Sequence, residues 1–165
     1  DVRQEIMKLN HDDPDLQEKE LELFEKIRGT YYEKAILPAL ARGAIVLCDR
    51  GPDCTVAFQG YGRGINLDKI REANKLATKG RYADLTLLFD LEPEVAMKRI
   101  TKEDQVNRFE KESMEFHQKV KMGYIREAAR DTELKIKKWQ TIWADDEKNV
   151  ITQKVIEAVQ KHLGL

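Results

Sequence analysis

Residues 44–50 read AIVLCDR, an unbroken apolar run that ends on an acid and a base. Near-continuous hydrophobicity over Ala44–Cys48 suits a parallel strand covered on both faces. In open α/β sheets, ligands gather at the carboxyl ends of strands, where Asp49 and Arg50 fall. A carboxylate there can hold magnesium against phosphate. A neighbouring guanidinium can fork onto phosphate oxygens through two parallel hydrogen bonds. A surface turn with an ion pair has the same Asp-Arg dipeptide, so those two residues alone leave both readings open.

Two further apolar runs read as strands of the same kind, Leu85–Asp90 (LTLLFD) and Trp139–Trp143 (WQTIW). Helical patterns separate them at 66–78, 93–100, 108–130 and 150–163. Upstream, Val2, Ile6 and Leu9 stand at helical spacing until His11–Pro14 breaks the pattern. A longer amphipathic helix opens at Pro14-Asp15, with Leu16, Leu23, Phe24 and Ile27 near one face, and runs through Tyr31, Tyr32 and Ala35. Pro38 interrupts or kinks it and Gly43 reads as its stop. Alternation of helix and strand implies a layered α/β fold with right-handed crossovers. There is no internal repeat, low-complexity segment or linker, so residues 1–165 are expected to form one domain.

The bulk composition narrows the function classes. Among 165 residues, 41% are hydrophobic, enough for a core. The 29 basic and 30 acidic residues nearly cancel to a net charge of -1, which gives no overall pull toward nucleic acid or an anionic membrane. An anionic ligand must then be met by local arginines. The two cysteines, Cys48 and Cys54, form no disulfide framework and fit a reducing cytosol. Cys48 is expected as inert core. No apolar run approaches the ~20 residues of a membrane span and no signal-peptide pattern opens the chain, so a cytoplasmic location is expected. His11, His117 and His162 are too scattered for a metal cluster or a catalytic dyad.

The continuation of Asp49-Arg50 settles the choice between a turn and a site. Residues 49–64 read DRGPDCTVAFQGYGRG. The segment resembles the D-R-Y-x-x-S-x-x-A-Y-Q-G-x-G-R-G of thymidylate kinases. It matches at Asp49, Arg50, Ala57, Gln59, Gly60, Gly62, Arg63 and Gly64, with Phe58 in place of a tyrosine. Leu23-Phe24 followed by Arg28 resembles the family's L-F-x-x-x-R. LTLLFD running into Leu91-Glu92-Pro93-Glu94-Val95-Ala96 resembles its L-x-L-D-x-x-P-E-x-A. Residues 101–110 (TKEDQVNRFE), with Glu112 and Phe116, resemble the LID that covers the ATP phosphates. Gly123-Tyr124 matches a further G-Y on the following helix. The resemblance runs over essentially the whole chain.

That resemblance implies a P-loop nucleoside-monophosphate-kinase-like fold, a three-layer α/β/α with a parallel sheet, and transfer of phosphate from ATP to dTMP in dTTP synthesis. It implies Mg2+ held in part by Asp49, and a homodimer. Asp49, Arg50 and Arg108 would be catalytic. Phe24 would stack on the thymine ring and Arg28 would hydrogen-bond a base carbonyl; positions i and i+4 share a helix face, so plate and donor can meet one flat base. Arg50, Cys54, Thr55, Phe58 and Gln59 would complete the acceptor site, and Lys102, Arg108 and Glu110 the LID contacts with ATP phosphates.

The chain also departs from the family pattern. Gly51 replaces the aromatic after Asp-Arg, Cys54 a serine, and Asn107 the LID aspartate. The family opens with a strand, a G-x-x-x-x-G-K-[ST] loop and a second strand ending E-P-G-G, and none of these occurs among the 165 residues. Gly60, Gly62 and Gly64 lack a following Lys-Ser or Lys-Thr and are no substitute. Since the chain also opens on Asp1 rather than Met, an N-terminally truncated, inactive portion of a longer kinase is expected. Two alternatives are a non-catalytic nucleotide-binding relative and a deoxynucleoside kinase.

Overall fold

The computed structural model describes Glu5, residues 15–100 and residues 112–165. The expected helix at 2–9 and most of the LID segment lie outside them. The chain divides into two compact units, Asp1–Arg81 and Tyr82–Leu165.

In the first unit, α1 (Leu16–Tyr31) runs into a π turn (Tyr32–Ile36) and then α2 (Leu37–Ala41). Sequence reading places a break at Pro38; the backbone instead widens over the preceding turn. Pro38 has no N–H to give and its ring crowds the carbonyl one turn back, and a wider turn accommodates both. Gly43, at φ +76°, closes the helix as expected. Beyond residues 44–48 come α3 (Pro52–Thr55), a second π segment (Val56–Gly62) and α4 (Leu67–Ala77). Asn66 caps α4 by accepting from the N–H groups of Asp68 and Lys69 at 2.9 and 3.0 Å. Leu21 from α1, Val56 from the π segment and Ile70 from α4 form the buried centre, with Tyr61, Ile65 and Leu67 packed against it. Gly60 lets α4 approach closely: a Cβ there would lie 2.5 Å from Leu67 Cδ2 and 3.3 Å from Ile70 Cδ1.

The strand expected at Ala44–Cys48 is not formed. These residues belong to neither helix nor ladder, and Ile45 and Leu47 are 67% and 86% exposed. A strand exists only through the partner that takes its N–H and C=O groups, and among the described residues of this unit no other strand offers them. Cys48 is accordingly exposed rather than core.

The second unit holds the parallel sheet. Strand β1 (Leu85–Asp90) pairs with β2 (Lys138–Trp143), Leu85 opposite Lys138 and Asp90 opposite Trp143. Between them run α5 (Pro93–Arg99) and α6 (Met114–Glu133), and α7 (Lys148–Leu163) follows. Pro93 opens α5, where its missing N–H costs nothing. The hydroxyl of Ser113 caps α6 by accepting from Phe116 N–H at 3.2 Å. Gly164 stops α7 at φ +73°. Phe116, Val120, Ile142, Ala144 and Ala158 are buried here. The Lys121 ammonium sits 3.1 Å from an Asp90 oxygen and 2.7 Å from one of Glu92, tying α6 to the end of β1.

Candidate nucleotide-acceptor site

Helix α1 presents Phe24 and Arg28 four residues apart, so the two lie one above the other, and Tyr32 follows at the start of the π turn. Phe24 is half-buried and the Arg28 side chain is 12% exposed. Arg28 Nη1 donates to Glu25 Oε1 on its own helix and, at 2.8 Å, to Asn74 Oδ1 on α4. Thr55, buried at the end of α3, brings its hydroxyl 3.1 Å from that same Oδ1 and 2.8 Å from the Pro52 carbonyl. Its single proton serves one acceptor at a time. Asn74 Nδ2 donates to the Pro52 carbonyl at 3.2 Å. Two residues expected at one ligand, Arg28 and Thr55, thus meet on one carboxamide oxygen.

Arg50 takes φ 67°, a left-handed conformation that a non-glycine residue adopts at a cost of about 1–2 kcal/mol. Its guanidinium carbon lies 5.8 Å from the centroid of the Phe58 ring, within cation–π range. Asp49 and Arg50 are both exposed, and Cys54 is half-buried. Gln59 is placed differently from its neighbours: it is 2% exposed, and its Nε2 donates to the buried Glu20 at 2.5 Å. Lys102, Arg108 and Glu110 lie outside the described residues.

Tyr32 and Asn74 escaped the sequence reading. Burial pushes the Tyr32 phenol pKa up; Cys48 and Asp53 add to this, while Arg28 and Arg81 oppose it. Asn74 did leave a signal: it stands four residues after Ile70 and four before Thr78, a polar side chain within a buried stripe.

Among the described residues no group of three His, Cys, Asp or Glu side chains is arranged to hold a metal ion. Asp49 offers an exposed carboxylate at the end of the apolar run. That fits a magnesium ion held chiefly by water and substrate phosphates, which commonly needs only one or two protein carboxylates. No helix among the described residues is long and apolar enough to cross a membrane.

A family model for thymidylate kinase matches residues 2–155. The chain belongs to the thymidylate kinase family. It is 46% identical over 123 residues to a thymidylate kinase of a Synechococcus species, covering 74% of this chain and 58% of that protein. To the thymidylate kinase of Halalkalibacterium halodurans it is 42% identical over 127 residues, covering 76% of this chain and 60% of the other. Its fold resembles the crystal structure of thymidylate kinase from Ehrlichia chaffeensis with a TM-score of 0.71 and 27% identity, over 96% of this chain and 71% of that one. The fold is therefore that of P-loop nucleoside monophosphate kinases. The chain spans about three-fifths of the length of the curated relatives it matches.

Proposed function

We propose that this chain carries the dTMP-binding portion of an ATP:dTMP phosphotransferase. The observation that supports this most is the convergence of Arg28 and Thr55 on Asn74, one helical turn from Phe24. An aromatic plate beside a fixed donor suits a flat pyrimidine with carbonyl edges. In this reading Phe24 stacks on thymine and Arg28 donates to a base carbonyl. Arg50 grips the acceptor phosphate, with Cys54 and Phe58 lining the approach and Gln59 holding its segment in place through Glu20.

The reaction joins a 5′-phosphate oxygen of dTMP to the γ-phosphorus of ATP, and the bond to the ADP oxygen breaks. Such a transfer relies on positioning and on offsetting charge. Arg108 would offset charge on the transferring group, and Lys102 and Glu110 would complete the contacts with the ATP phosphates. Mg2+, met by Asp49, would neutralise phosphate charge when bound. The protein would work in dTTP synthesis in the cytoplasm, as a homodimer. Because these 165 residues contain no G-x-x-x-x-G-K-[ST] segment, they are proposed to bind dTMP without turning it over on their own.

Titrating the chain with dTMP, thymidine and dCMP in a thermal-shift experiment tests this. Protection by dTMP well above that by thymidine or dCMP is expected. Equal protection by thymidine would point to a nucleoside kinase, and no protection by any of the three would sink the reading.

A further inference from the structure

We infer that Asn74 is a positioning residue, fixing the guanidinium of Arg28 so that it reads the base of the acceptor nucleotide. The inference rests on the dTMP-binding reading and deepens it. Arg28 has two acceptors on Nη1, and they are not equivalent. Glu25 lies one turn away on the same helix and can follow Arg28 through its rotamers. Asn74 arrives from α4, 46 positions along the chain, and does not move with α1. Its carboxamide is anchored at both ends: Nδ2 on the Pro52 carbonyl at 3.2 Å, Oδ1 facing Arg28 at 2.8 Å. With 3% exposure, Asn74 has little room to swing. Among the described residues both bonds of Arg28 leave from Nη1, and Nη2 is the edge assigned to the ligand carbonyl in this reading.

The shared oxygen has a second effect. Thr55 Oγ1 lies 3.1 Å from the same Oδ1, so residues on α1 and α3 are set in register by one atom of α4. A flat base presenting a carbonyl and a ring N–H along one edge needs donor and acceptor at fixed separation. If Asn74 merely glued helices together, losing it would weaken all ligands alike.

The test uses the 165-residue chain, calorimetric titration with dTMP and with 5-methyl-dCMP, which exchanges one base carbonyl for an amine and the neighbouring ring N–H for an acceptor nitrogen, and NMR of the Arg28 guanidinium. Asn74→Leu removes the acceptor, Asn74→Asp keeps it, and Asn74→Ser serves where the leucine variant does not fold. Asn74→Leu or Asn74→Ser is expected to lower the preference for dTMP over 5-methyl-dCMP roughly tenfold. Free rotation of the Arg28 guanidinium should accompany that loss, whereas Asn74→Asp, which keeps an oxygen on Arg28 but gives up the bond to the Pro52 carbonyl, should keep the guanidinium restricted. In an Arg28→Met background, Asn74→Leu should have no further effect on dTMP affinity. Equal weakening of both nucleotides, with Arg28 still restricted, overturns the role of Asn74 and leaves the proposed function standing. Failure of the unsubstituted chain to prefer dTMP overturns both.

Discussion

Gln59 Nε2 donates to Glu20 Oε1 across 2.5 Å, joining the second π segment to α1 where both side chains are all but sealed from water. The bond ties the segment that carries Phe58 to the helix that carries Phe24 and Arg28. Gln59→Leu removes the donor that Glu20 Oε1 faces, and should cost about 1–3 kcal/mol, the range for leaving a buried acceptor without its hydrogen bond. Glu20→Gln, which keeps an acceptor, should cost less. Combining Gln59→Leu with Glu20→Met should cost less than the sum of the single changes. Urea denaturation of the four variants checks this.

Gly60→Ala sets a methyl group against Leu67 Cδ2 at 2.5 Å, so the leucine must rotate away. The overpacking should cost about 1–2 kcal/mol. Adding Leu67→Ala clears the space, and the double variant should be more stable than the two single losses predict. Midpoints of chemical unfolding measure the coupling.

Arg50 sets stability against binding. Glycine accepts the left-handed backbone at φ 67° without strain, though it is freer when unfolded. Arg50→Gly should therefore leave stability unchanged or raise it by at most about 1 kcal/mol. It should nonetheless cost roughly a hundredfold in dTMP affinity, the loss of a bidentate phosphate grip. Arg50→Lys should recover only part, because an ammonium lacks the fork. Thermal melts paired with calorimetric titrations separate the two effects.

Lys121 makes the second unit sensitive to alkali. Burial pulls its pKa down, but hydrogen bonds and charge from Glu92 and Asp90 outweigh this and leave it raised. A group whose folded pKa exceeds its unfolded value stabilises fully below the unfolded value, about 10.4 for lysine. That contribution fades as pH climbs from there through the raised folded value. Melts between about pH 8 and 12 should show a steeper alkaline decline for the native chain than for Lys121→Met. Parallel curves would remove the ion pair from the account.

The sequence revealed some parts of this fold more readily than others. β1 at Leu85–Asp90 and the helices around it were legible because local periodicity agrees with the elements found. Ala44–Cys48 misled because hydrophobicity says a segment wants cover, not that a partner strand is there to provide it. Phe24 and Arg28 were singled out by the resemblance of Leu23-Phe24 and Arg28 to a family motif, and the structure sets both on α1, four residues apart. The junction of Arg28 and Thr55 was not legible, since Asn74 reaches across 46 and 19 positions and no local pattern records such pairings.

The widened turn at Tyr32–Ile36 puts the residues after it out of phase with those before it. One surplus residue turns everything after it by about 100° relative to an uninterrupted helix. The faces of Leu37 and Leu40 are thus indexed separately from those of Phe24 and Arg28. A one-residue deletion there would leave the spacing of Phe24 and Arg28 intact while swinging the stretch that leads to Asp49 onto a different heading.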